Sequence, residues 1–224
     1  MKHFISTKSW SKSELQEILD FSIKLKENPF QPILKNKSIA MIFFNPSLRT
    51  KTSFEIGINE LSGTAVVIQP GKDAWPMEFA ENVVMDGESE EHVKEVAQVL
   101  SSYCDCIAVR AFPKFESWEI DRTNHVIESF AKYASVPIIN GLTDYNHPCQ
   151  IVADIFTIIE KKGELNNIKN FKTIIKISFF LYSFLNVKFG NYLVYFMLLE
   201  SRFCSIKENI MCYFFFCFHC LFIY

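Results

Sequence analysis

Apolar positions along the chain follow two spacings in turn. Ser11 and Glu14 stand three apart, as a capping box requires, and Leu15, Ile18, Leu19 and Leu25 follow at helical spacing, which predicts an amphipathic helix over residues 11–26. Residues 38–44 form an apolar run stopped by Asn45 and Pro46, the pattern of a buried strand ending in a proline turn. Phe54, Ile58 and Leu61 then mark one face of a helix that is expected to end at Gly63. The alternation continues with strands over 64–69, 106–110 and 136–140 and helices over 90–102, 124–134 and 148–160. Strands and helices in alternation predict an α/β fold, a parallel sheet with right-handed crossovers and helices on both faces.

Composition divides the chain. Up to about Lys172 charged, small and apolar residues mix as in globular enzymes, whereas residues 172–224 are rich in Phe, Ile, Tyr, Leu, Cys, Asn and Lys. That tail contains Phe179-Phe180-Leu181-Tyr182 and Tyr213-Phe214-Phe215-Phe216, and it lacks Pro and Asp. A membrane span needs about 20 mostly apolar residues, and Lys176, Lys188, Glu200, Arg202, Lys207 and Glu208 interrupt every candidate. The uncharged run over 210–224 is short for a span. The tail therefore reads as translated A/T-rich non-coding sequence or a shifted frame rather than as a membrane anchor. The net charge of −2 and the absence of a basic stripe among the aromatics argue against nucleic acid as a partner. Residues 1–10 carry Lys2, His3 and Lys8 with no apolar run behind them, which is not a secretory signal and implies a cytoplasmic protein. The seven cysteines show no zinc-ligand spacing and read as reduced, packed thiols.

In such a sheet the polar residues just after each strand are the ones placed to bind ligand. Ser47-Leu48-Arg49-Thr50 follows the first strand and opens a helix, whose first amides have no internal partners and carry the positive end of the dipole. Hydroxyls, a guanidinium and amides at that place suit an oxyanion or phosphate. Taken alone, the same residues are also accounted for by a capping Ser47 or Thr50 and a solvated Arg49. Arg110 ends the third strand, and a turn-rich loop after the fourth leads to His147-Pro148-Cys149-Gln150. Pro148 suits the first turn of a helix, which puts His147 at the cap and Gln150 inside the turn. Arg49, Arg110, His147 and Gln150 thus each follow a strand on one side of one sheet, a pocket for a small anion with a carbonyl to polarise.

Residues 44–55, Phe-Asn-Pro-Ser-Leu-Arg-Thr-Lys-Thr-Ser-Phe-Glu, resemble the signature of aspartate and ornithine carbamoyltransferases, and His147-Pro148-Cys149-Gln150 matches the His-Pro-x-Gln of that family. Residues 69–79, 84–87 and 109–115 are similar to the N-acetylornithine members, and the resemblance runs from about Lys2 to Phe171. It implies a carbamoyl-phosphate-binding domain over 1–171. Within it Ser47, Leu48, Arg49 and Thr50 would hold the phosphate, Arg110 and His147 the carbonyl oxygen, and Gln150 the carbamoyl amide, with Pro148 and Cys149 in the same binding segment. Arg110, His147 and Thr50 would be the catalytic residues. It implies a homotrimer in which Trp75 reaches the neighbouring subunit's site, and the setting of Trp75 between Gly71-Lys72-Asp73 and Pro76 argues against a core position. The implied chemistry is attack of the side-chain amine of N-acetylornithine, or of ornithine, on carbamoyl phosphate in arginine biosynthesis, with no metal or organic cofactor. His147 reads as a hydrogen-bond donor rather than a general base.

Two departures accompany the resemblance. The loop Asn140-Gly141-Leu142-Thr143-Asp144-Tyr145-Asn146 lacks the Glu that the acetylornithine enzymes carry shortly before the histidine, and is closer to the ornithine type. The family's amino-acid-binding domain, expected to begin near Phe171, is not recognisable in residues 172–224, so the chain is expected to be inactive or a non-catalytic carbamoyl-phosphate-binding module. His219-Cys220-Leu221 is followed by Phe222 rather than Pro, and these residues are assigned no role.

Overall fold

Ser11 opens the first helix as the capping box predicts. Its hydroxyl accepts the Glu14 amide at 3.2 Å, and Glu14 Oε2 accepts the Ser11 amide at 2.7 Å. The computed structural model describes residues 1–87, 89–112 and 117–163. The expected boundary at 171, the 172–224 tail and the stretch Pro113-Lys114-Phe115 lie outside the described residues. In chain order the elements are α1 (Lys12–Glu27), β1 (Ser38–Phe43), α2 (Leu48–Glu60), β2 (Thr64–Ile68), β3 (Met77–Glu78), β4 (Glu91–His92), α3 (Val93–Tyr103), β5 (Cys106–Arg110), α4 (Trp118–Asp121), α5 (His125–Tyr133), β6 (Ile138–Leu142) and α6 (Pro148–Lys162).

Four strands form one parallel sheet in the order β2-β1-β5-β6. Its central strands β1 and β5 are apolar but for Ser38 and Arg110 at their ends, as strands covered on both faces are. Side chains alternate between the faces of a strand. Ala40, Ile42, Ile107, Val109 and Ile138 share a core with Val93, Ala97 and Leu100 of α3 and Ile127 and Phe130 of α5. The alternate positions Ile39, Met41, Cys106, Ala108 and Ile139 are buried as well, so both faces are covered. Cys104, Cys106 and Cys149, the cysteines among the described residues, are buried thiols outside any disulfide, as expected from the sequence. Among the described residues no helix is long and apolar enough to cross a membrane.

Three element boundaries differ from the sequence expectation. The helix expected over 90–102 begins only at Val93, because Glu91 and His92 pair with Met77 and Glu78 as the two-stranded sheet β3-β4. The last strand runs to Leu142 rather than from 136 to 140: Pro137 has no amide to donate, and pairing starts at Ile138 opposite Ile107. After α2 the left-handed residue is Ser62, with φ 67°, rather than Gly63. Gly63 serves closeness instead, since a Cβ there would stand 2.9 Å from Leu34 Cβ.

Candidate active site at the switch point of the sheet

From β1 the chain crosses to β2 on one side, while β5 lies on the other side of β1. The strand order therefore reverses between β1 and β5, and a crevice opens beyond their carboxyl ends. Asn45 and Arg110 border it. Phe44 donates its amide to the Arg110 carbonyl at 3.0 Å, and the Phe112 amide donates to Asn45 Oδ1 at 2.6 Å, which ties the two strand ends together. Ser47 is the N-cap of α2: its Oγ accepts the Thr50 amide at 3.2 Å and its carbonyl the Lys51 amide at 3.3 Å. Capping and ligand binding coexist here, because the cap fixes the first turn and leaves the dipole aimed at the crevice.

Arg110 is 8% exposed, and its Nη1 donates to Thr50 Oγ1 at 3.4 Å. Its guanidinium lies 4.6 Å from the ring centre of Phe112. Thr50, Phe54, Phe43, Ala108, Arg110 and Gly141 line a small cleft between α2 and the sheet. Leu48 and Arg49 occupy the same first turn of α2 and are exposed.

His147 enters from the other strand end. The Ile151 amide donates to its carbonyl at 3.2 Å, so it caps α6, with Pro148 at the first position and Cys149 and Gln150 in the first turn, as the sequence predicts. Burial, and then the positive charge of Arg110, pull its pKa from 6.5 to about 3, so the ring is neutral at pH 7 and its Nδ1 is out of contact with solvent. Cys149 is 2% exposed and its thiol donates to the Asn140 carbonyl at 3.3 Å. The geometry joins Ser47, Thr50, Arg110 and His147. Trp75 is not part of the cleft lining; it stands 55% exposed after a turn in which the Gly71 amide donates to the Ala74 carbonyl at 2.8 Å.

Sequence reasoning missed the polar residues that hold these groups in place. Asn45 looked like a turn former, and Asn140, Thr143 and Asn124 looked like loop and cap residues, yet Asn140 is fully buried and the other two are 5% exposed. The available signal was Asn140 at the end of an apolar run, since a polar group there needs partners if it is buried. A buried guanidinium, a helix N-terminus and a neutral imidazole can together hold an anion and polarise a carbonyl oxygen.

Known proteins are similar to this chain over most of its described residues. Residues 2–160 match the family described as aspartate/ornithine carbamoyltransferase, carbamoyl-P binding domain. The N-acetylornithine carbamoyltransferase of Xanthomonas campestris pv. campestris is 53% identical over 163 residues, 73% of this chain and 48% of that protein. The ornithine carbamoyltransferase of Caldicellulosiruptor saccharolyticus is 38% identical over 173 residues, 75% of this chain and 49% of that protein. An acetylornithine transcarbamylase crystallised with acetylcitrulline superposes with a TM-score of 0.71 at 53% identity, covering 73% of this chain and 48% of the other. A variant N-acetyl-L-ornithine transcarbamylase in complex with carbamyl phosphate and N-succinyl-L-norvaline gives the same TM-score of 0.71. The chain spans about half the length of the curated relatives it matches. The match spans well over half of the chain, which belongs to the aspartate/ornithine carbamoyltransferase family through its carbamoyl-phosphate-binding domain.

Proposed function

We propose that the described domain binds carbamoyl phosphate and that the protein is of the N-acetylornithine carbamoyltransferase type, acting in arginine biosynthesis. One observation carries the reading: the buried Arg110 donates to Thr50 at the N-terminus of α2, beside a neutral His147, at the point where the strand order reverses. Ser47, Leu48, Arg49 and Thr50 would receive the phosphate on the helix amides and the Arg49 guanidinium. Arg110 and His147 would donate to the carbonyl oxygen as it becomes negative, and Gln150 would take the carbamoyl amide. In the transfer, the amine of the acceptor forms a C–N bond to the carbonyl carbon, the C–O bond to phosphate breaks, and the proton that the amine loses leaves with the phosphate. A neutral imidazole donates to that oxygen without carrying a charge into the crevice. His147 is thus a hydrogen-bond donor rather than a general base.

Greater similarity to the acetylornithine enzymes favours the acylated acceptor. The loop Asn140-Gly141-Leu142-Thr143-Asp144-Tyr145-Asn146, without Glu, favours ornithine as the second reading. Trp75, 55% exposed, is proposed to reach the site of a neighbouring subunit in a homotrimer, and the cytoplasmic setting belongs to the same proposal. We assign no acceptor site to residues 1–163, so the 224-residue chain is expected to bind carbamoyl phosphate without turning it over.

Calorimetry on the 224-residue chain tests this reading. Carbamoyl phosphate should bind, and Arg49→Ala should weaken it by about 1.5–3 kcal/mol, the value of a hydrogen bond to a charged group. Unchanged binding by the variant would remove the phosphate assignment. Formation of citrulline or acetylcitrulline from the matching acceptor would show an acceptor site outside residues 1–163.

A further inference from the structure

The loop that delivers His147 begins under backbone strain. Leu142 has φ 129°, a region that side chains other than glycine rarely adopt. Just before it, Gly141 passes so close to β5 that a Cβ would stand 3.3 Å from the Val109 carbonyl oxygen. Such a conformation persists only where its surroundings over-determine it.

The surroundings are a chain of buried amides and one hydroxyl. Asn140 Oδ1 accepts the Leu142 amide at 2.8 Å, and Asn140 Nδ2 donates to the Ile5 carbonyl and to Thr143 Oγ1, each at 2.9 Å. Thr143 Oγ1 passes its own proton to Asn124 Oδ1 at 3.0 Å, which also accepts the Tyr145 amide at 3.0 Å. The Thr143 amide donates to the Asn146 carbonyl at 3.1 Å. The Leu142 and Tyr145 amides and the Thr143 hydroxyl are thus each held by Asn140 or Asn124. Asn124 makes no side-chain cap bond to its own helix, so its carboxamide is given over to this loop.

We propose that Asn140, Thr143 and Asn124 are positioning residues that hold the Leu142–His147 loop so that His147 meets the carbonyl group of carbamoyl phosphate, while the phosphate is held separately by the N-terminus of α2. The proposal rests on the carbamoyl phosphate reading above. It separates two parts of the ligand: the loop network governs recognition of the carbamoyl half, and Ser47 to Thr50 govern the phosphate half. Water cannot replace the network, because Asn140 is fully buried and its neighbours nearly so.

The test compares carbamoyl phosphate with inorganic phosphate by calorimetry on the 224-residue chain. Thr143→Val removes the hydroxyl link at nearly constant volume. Asn124→Gly keeps the left-handed backbone of Asn124, φ 53°, and removes the acceptor. Each should lower the ratio of carbamoyl phosphate to phosphate affinity by roughly tenfold, with phosphate affinity unchanged, and Thr143→Ser should restore the ratio. A wild-type chain that binds carbamoyl phosphate no better than phosphate overturns the functional reading itself. A wild type that discriminates, with Asn124→Gly and Thr143→Val that discriminate equally well, overturns the positioning role alone. Equal loss of both affinities in the two variants also overturns it, since the network would then be only structural.

Discussion

His92 is bonded on both sides of its ring, to Lys94 and to Ala80. Nδ1 accepts the Lys94 amide at 3.1 Å and so caps α3, which leaves the proton on Nε2, 3.1 Å from the Ala80 carbonyl oxygen that accepts it. Phe79, beside Ala80, packs on Phe44, Phe130 and His125 with ring centres 5.8, 6.5 and 5.9 Å away. One side chain thus fixes both a helix start and the segment that follows Trp75.

Two substitutions separate those duties. His92→Ala should cost about 1 kcal/mol, the loss of an N-cap, and should speed amide exchange over residues 77–81. His92→Asn retains a capping oxygen but is too short to reach Ala80, so stability should recover while exchange stays fast. Exchange measured by mass spectrometry on both variants decides it, and slow exchange in His92→Asn would show that the aromatic packing alone secures the segment.

Acid should weaken the fold through His147. Its pKa of about 3 in the folded protein lies below the ordinary 6.5, so between those values the unfolded chain binds more protons. The stability is present in full above pH 6.5 and is lost as the pH falls toward 3. His3 acts in the same direction: burial, with the N-terminal charge second, lowers its pKa, and its Nδ1 accepts the Ile138 amide at 3.1 Å. Denaturant midpoints at pH 7.5, 6 and 5 should fall in that order, and His147→Gln should flatten the trend. A slope left intact by His147→Gln would place the effect elsewhere.

Asp144, three residues away, should have the opposite sign. Burial, and then the nearby Asp121, raise its pKa from 3.8 to about 6, so the folded state holds the proton more tightly and stability falls as the pH rises through that interval. Its Oδ1 is buried with no hydrogen-bond partner among the described residues. Asp144→Asn should therefore raise the thermal midpoint at pH 7 and have little effect at pH 4. An equal gain at both pH values would point to packing rather than charge.

The alternation of apolar runs was enough to predict the parallel sheet, because β5 and β6 are buried along their whole length and β1 from Ile39 onward, with helices between them. Ser11, Ser47 and Pro148 marked helix starts correctly, since caps act within one turn and leave a local trace. The β3-β4 pair left no such trace. Two residues are too few for a period, and Glu91 and His92 pair with Met77 and Glu78, which lie 14 positions earlier. In the candidate site, the places of Ser47 and Thr50 after β1, of Arg110 at the end of β5 and of His147 at the head of α6 follow from element order and were legible in the sequence. Asn124 was not, because its role depends on a loop 19 residues further on. The lowered pKa of His147 was equally hidden, being set by how deeply the fold buries the ring and how near it brings Arg110.

Phe4 continues the sheet beyond β6: its amide donates to Ile138 at 2.8 Å and its carbonyl accepts from Asn140 at 3.0 Å. Its near neighbour Ile5 and Asn140 are 135 positions apart. At ribosomal speeds of about 5–20 residues per second, the first residues made wait on the order of ten seconds before the strand they cover exists. Throughout that wait the Ile5 carbonyl lacks the Asn140 side chain that is to bond it. The crevice around Arg110 and His147 is therefore assembled by the oldest and youngest parts of the domain together, so a nascent chain stalled before Ile138 would carry the Ser47–Thr50 turn without His147 beside it.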